Sequence, residues 1–144
     1  MAQEEAKTLM GILDFFLPKR AKYRKLNEGH LDVFDRNQIT EGWGRIEQKA
    51  TSKTPSASRE AVIEADKLLG YTLEKLYPEG ESTGERLKAA KEKFNYKYQE
   101  YNDLWYAHKI RNEMVHNFNF ELPTSQARDV LDKFQKGLEV LGVL

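Results

Sequence analysis

The chain has 144 residues, 40% of them hydrophobic and 32% charged, the proportions of one globular domain with enough apolar surface for a real core. Lys+Arg and Asp+Glu number 23 each, which argues against a protein that coats duplex nucleic acid but leaves local phosphate contacts open. There is no cysteine, so disulfides and thiolate metal sites are excluded and a cytoplasmic setting is expected.

Glycine and proline punctuation, with helical apolar spacing and no convincing strand, predicts an all-α fold: an antiparallel bundle of four to five helices. The first helical segment covers about 3–16 and stops at Pro18. Its "LMGILDFFLP" is too short for a membrane span, and Glu4 and Glu5 precede it, unlike a signal peptide. "KRAKYRK" follows, with five positive charges in seven residues. This pairing reads as an amphipathic helix docked on the domain. It also suits a stretch resting on an anionic membrane surface, so a membrane-peripheral location is the alternative to a purely cytoplasmic one.

A second helix is predicted over 31–50, with Phe34, Ile39, Trp43 and Ile46 on its apolar face. "TSKTPSAS" is a polar break in which Ser56 or Ser58 is placed to cap the next helix. The third segment, 59–77, carries Ala61, Ala65, Leu68, Leu69, Thr72, Leu73 and Leu76 on one broad face, the pattern of a bundle helix. "PEGESTG" forms a turn, and Ser82 with Glu85 makes a capping box for "GERLKAAKEKF". The tyrosine-rich "NYKYQEY" then leads into a long helix ending near "HNFNFELP". Pro123 and Thr124 introduce the last helix, whose buried stripe is Ala127, Val130, Leu131, Phe134, Leu138 and Leu141. On this reading residues 56–144 form the compact bundle, and residues 1–55 an added layer or N-terminal arm.

Chemistry concentrates in "KIRNEMVHNF", 109–118. At about 100° per residue, Tyr101, Trp105, His108, Asn112 and His116 form one stripe of the long helix, with Leu104, Arg111, Val115 and Phe118 beside it. A helix apolar nearly all round is expected to be buried on more than one side, which puts its polar groups along a seam. Buried Arg and His must be paired or hydrogen-bonded, for structure or for chemistry. The chemistry that fits is RNA phosphodiester cleavage without a metal. His116 serves as general acid or base, Arg111 stabilises charge building on phosphorus, and Asn112 orients the imidazole or holds a phosphate oxygen. The ribose 2′-OH is the nucleophile, which makes the activity specific for RNA. No cofactor and no metal are called for. His108, Trp105 and Lys109 are secondary candidates for RNA contact. His108 doubles as a satisfied core histidine, and the Tyr98, Tyr101 and Trp105 group as aromatic packing.

Five residues separate Arg111 from His116, roughly 140° around the helix axis and about 7.5 Å along it. The two converge only if His116 sits at the helix end and a second copy packs across a two-fold axis. Arg24 and His30 show similar spacing, but in polar surroundings that read as surface.

"RNEMVH" resembles the Arg, four-to-six residues, His motif of the HEPN superfamily, with Asn112 as the polar residue that often follows the arginine. "AVIEADKLL", "GERLKAAK" and "LWYAHKIRNEMVH" are similar to a widespread set of bacterial HEPN-like domains, over about residues 57–142. Members of that set often carry a membrane segment ahead of the domain; here that segment is expected to be missing, or replaced by the short "LMGILDFFLP". The resemblance implies an antiparallel bundle, a homodimer joined through the motif helices, and metal-independent endoribonuclease activity in catalytic members, often toxins or defence effectors. Other members only bind RNA, nucleotides or proteins. It assigns catalysis to Arg111 and His116 and support to Asn112. One toxin subgroup has Tyr two residues after the His, the target of an antitoxin that modifies it; this chain has Phe118. The alternative function is a non-catalytic interaction or RNA-binding module, peripheral to the membrane through its N-terminus.

Overall fold

Short polar residues at the breaks of the sequence, Asp32, Thr54 and Ser82, start three of the helices. A computed structural model describes residues 25–144, and these contain six helices and no strand. The segment expected at 3–16, "KRAKYRK" up to Arg24, and the Arg24 half of the surface pair lie outside the described residues; His30 is exposed. Helix α1 (Val33–Ala50) begins with a reciprocal cap. The Asp35 N–H donates to Asp32 at 2.7 Å, and the Asp32 N–H donates back to Asp35 at 3.2 Å. Leu31 therefore lies ahead of the helix, though it is buried. Ile39, Trp43 and Ile46 enter the core as expected, but Phe34 is exposed. It lies five residues before Ile39, roughly 140° away around the helix.

Helix α2 (Pro55–Leu76) starts earlier than the serines suggested. Thr54 accepts from the Ala57 N–H, and Pro55 occupies the first turn, where its missing N–H costs nothing. Ser58 is buried inside the helix. Helices α3 (Thr83–Ala89) and α4 (Lys91–Phe94) divide what reads as one segment. Ser82 accepts from the Glu85 N–H at 3.1 Å, while the Glu85 carboxylate reaches the N–H of Glu81 rather than that of Ser82. Asn95, at φ 40°, turns the chain into α5 (Tyr98–His116), and α6 (Thr124–Val140) follows Pro123.

Helices α1 and α2, α2 and α5, and α5 and α6 pair antiparallel, so α2 and α6 run parallel. Helix α2 is the hub, in contact with α1, α3, α5 and α6, while α5 also lies along α6. Leu69, Leu73, Leu104, Phe134 and Leu138 are fully buried at these contacts, each contributing about 1.5–3 kcal/mol by leaving water. Ile39, Trp43 and Ile46 of α1 belong to the same core. Close approach of α5 and α6 depends on Gly137: a Cβ there meets the Leu104 side chain at 2.7 Å, and Leu104 is fully buried. Gly137→Ala should therefore destabilise by about 1–3 kcal/mol despite its better helix propensity. Urea melts that show equal or greater stability for the variant contradict this packing. Gly29 has a similar role at the other end. Its N–H donates to the Leu76 carbonyl at 2.6 Å, and a Cβ there comes within 2.2 Å of the Lys75 carbonyl oxygen.

The start of α1 is pinned to α2 by a polar contact. The Tyr71 hydroxyl donates to Asp35 at 2.7 Å, and Lys75 lies 3.4 Å from the same carboxylate. The Tyr71 hydroxyl holds the Asp35 carboxyl below its usual value, against the opposing effect of burial, with the Asp32 backbone and Lys75 adding to the lowering. A carboxyl lowered in the folded state stabilises above its unfolded pKa, and that stability is lost as pH falls through the folded value. Tyr71→Phe should lower the melting temperature more at pH 7 than at pH 3; equal losses at both contradict the assignment.

Candidate functional site

The long helix α5 carries the motif, and its neighbours decide which of its residues meet. The antiparallel pairing of α5 with α2 is read from two contacts: Asp66 meets His108 and Arg111, while Arg59, earlier in α2, meets Met114. Val62, Leu69 and Leu73, four before and three and seven after Asp66, are all fully buried. Asp66 is thus a carboxylate on a buried face, its side chain 6% exposed, and its burial demands partners.

It has two. His108 Nδ1 lies 2.7 Å from Asp66 Oδ1, and Arg111 Nε lies 3.4 Å from Asp66 Oδ2. The carboxylate accepts, so the network assigns the proton of a neutral imidazole to Nδ1 and leaves Nε2 bare. That nitrogen is 3.4 Å from the Asn112 amide nitrogen, while the Asn112 oxygen accepts from Arg111 Nη1 at 3.2 Å. Arg111 Nε is buried without a hydrogen bond of its own among the described residues, so its tie to Asp66 is electrostatic. Asp66, His108, Asn112 and Arg111 form one polar cluster in the α2–α5 seam. Its side chains grade outward, from Asp66 at 6% through His108 at 12% to Arg111 at 25% exposed.

Among the proposed catalytic residues, Arg111 and Asn112 touch each other and His116 stands apart. His116 is the last residue of α5, exposed, with no side-chain hydrogen bond or ion pair among the described residues. Val115 and Phe118 beside it are exposed, the latter completely. The expectation that α5 is buried nearly all round is corrected here. The helix buries Tyr101, Leu104, Ala107 and Met114 against its neighbours, while Tyr106 and Val115 face outward and Phe118, in the turn past the helix end, is exposed. With neighbours on only part of its circumference, one side stays open.

The secondary candidates separate as well. Trp105 is partly buried, edge-on to both Tyr101 and His108, and its ring lies over Gly84. Tyr101 is buried, with its hydroxyl donating to the Leu87 carbonyl. Lys109 is exposed, its ammonium 6.0 Å from the Trp105 ring centre, and Tyr98 is exposed. Asp66 was missed in the sequence, although an acid set among Val62, Leu69 and Leu73 was its visible signal. Arg59 offered none. Among the described residues, no three His, Asp or Glu gather where they could hold a metal ion, and no helix is long and apolar enough to cross a membrane.

No family model, curated protein or solved structure matches the chain.

Proposed function

We propose that the protein is a HEPN-type homodimeric endoribonuclease acting on single-stranded RNA without a metal, with Arg111, Asn112 and His116 as its catalytic residues. One observation carries this reading: His116 is exposed and, among the described residues, unpartnered at the end of the helix whose preceding turn holds Arg111 and Asn112 in a fixed cluster. An imidazole that accepts and returns a proton must be free to do so, whereas the groups that orient a phosphate are best held rigid.

In the reaction, the 2′-oxygen attacks the adjacent phosphorus as His116 takes its proton. The P–O2′ bond forms, charge builds on the non-bridging oxygens, and Arg111 with Asn112 stabilises it. The P–O5′ bond then breaks, leaving a 2′,3′-cyclic phosphate and a 5′-hydroxyl. The proton for the departing oxygen comes from the protonated His116 ring of the second copy, since one helix does not bring Arg111 and His116 to a single point. Exposed Val115 and Phe118 flank His116 and supply apolar surface for that second copy.

A second reading has its own support: the Asp66, His108, Asn112 and Arg111 cluster closes within one chain, as a device for fixing helix packing in a non-catalytic module would. The two part on a simple assay. Purified protein in EDTA should cleave a panel of single-stranded RNAs and elute as a dimer; intact RNA across the panel favours the non-catalytic module.

A further inference from the structure

Arg59 lies seven residues before Asp66 on α2, about two turns away on the same side of the helix. Its Nη2 donates to the Met114 carbonyl at 2.6 Å, in the last turn of α5 and two residues before His116. Among the described residues it has no carboxylate within ion-pair distance. Arg111 differs, since its charge is matched by buried Asp66. The cation of the cluster is therefore compensated, while Arg59 has no such match among the described residues.

A helix C-terminus is a poor place for an anion, because the last carbonyls leave partial negative charge there. RNA that reaches His116 must bring a phosphate to that end. A guanidinium anchored on a neutral carbonyl offsets those dipoles, keeps its full charge, and leaves its remaining donors for phosphate oxygens. We infer that Arg59 binds an RNA phosphodiester next to His116, as a substrate-positioning residue that supplies the charge Arg111 shares with Asp66. This inference rests on the ribonuclease reading above.

The rival role for Arg59 is a plain helix cap, and two substitutions separate them. Arg59→Gln keeps an N–H donor for the Met114 carbonyl and removes the charge; Arg59→Lys keeps the charge. Both are placed in the full chain carrying His116→Ala, so that RNA is bound and not consumed. Binding of a fluorescent single-stranded RNA is then followed across a salt series. Arg59→Gln should weaken binding about tenfold at low salt and flatten the log–log salt slope by about one, the loss of one phosphate contact. Arg59→Lys should keep the slope. As a measurement independent of how the variants fold, the Arg59 side-chain NMR resonance of the His116→Ala chain should shift when the RNA is added. Unchanged affinity and slope in Arg59→Gln, or an unmoved resonance with RNA bound, overturns the inference and leaves the ribonuclease reading standing. A parent chain that binds no RNA overturns both.

Discussion

Asp66→Ala is expected to be the most damaging single substitution in the seam, costing about 3 kcal/mol. Its carboxylate is nearly inaccessible and serves two partners, His108 Nδ1 and the Arg111 guanidinium. Removing it leaves a buried Arg111 Nε with neither charge nor hydrogen bond to offset its desolvation. Arg111 keeps a quarter of its side chain in water, which holds the figure at the low end of what a broken buried pair costs. Asp66→Asn tests the charge apart from the shape. It retains an oxygen for His108, so it should lose less than alanine. Chemical denaturation of the three proteins measures the order; an alanine variant within about 1 kcal/mol of the parent contradicts the idea that Asp66 holds the cluster together. RNA cleavage should fall with Asp66→Asn even where the fold survives, because Arg111 is then less firmly placed.

His116→Ala is expected to do the opposite: little to stability and most to activity. The side chain is exposed and has no partner among the described residues, so its loss should move the unfolding free energy by under about 0.5 kcal/mol. Removing a general acid or base lowers turnover by about 10²–10⁴-fold. A loss confined to the turnover number, with unchanged thermal melting and unchanged RNA affinity, is the expected pattern. If melting drops sharply, or the dimer dissociates while RNA affinity is unaltered, His116 is a structural residue at an interface.

The helices were legible because their signals are local. The periodic stripe of α6, from Ala127 to Leu141, is buried throughout, and Ser82 does cap α3. The errors arose where two local signals competed. Thr54 and Pro55 outbid the serines after them, and Asn95 took up a turn that composition alone does not announce. The candidate site was only half legible. Spacing drew attention to Arg111, Asn112 and His116 on one helix, but Asp66, the partner of Arg111 and His108, lies more than 40 residues earlier, on α2. The stripe expected to run along an interface is divided: His108 meets Asp66 and Asn112 joins that cluster, while His116 at its end stands exposed. Contacts between distant segments leave no periodic trace, so Asp66 showed merely as an acid among buried neighbours and Arg59 not at all.

The central claim, attack by the ribose 2′-OH at the open end of α5, is tested most directly by a single-stranded RNA carrying one 2′-deoxy nucleotide at an established cleavage position, in EDTA. The account predicts cleavage of the all-ribose strand to a 2′,3′-cyclic phosphate and a 5′-hydroxyl, with no cut at the deoxy position. Cleavage at the deoxy position, or an all-ribose strand left whole, contradicts it.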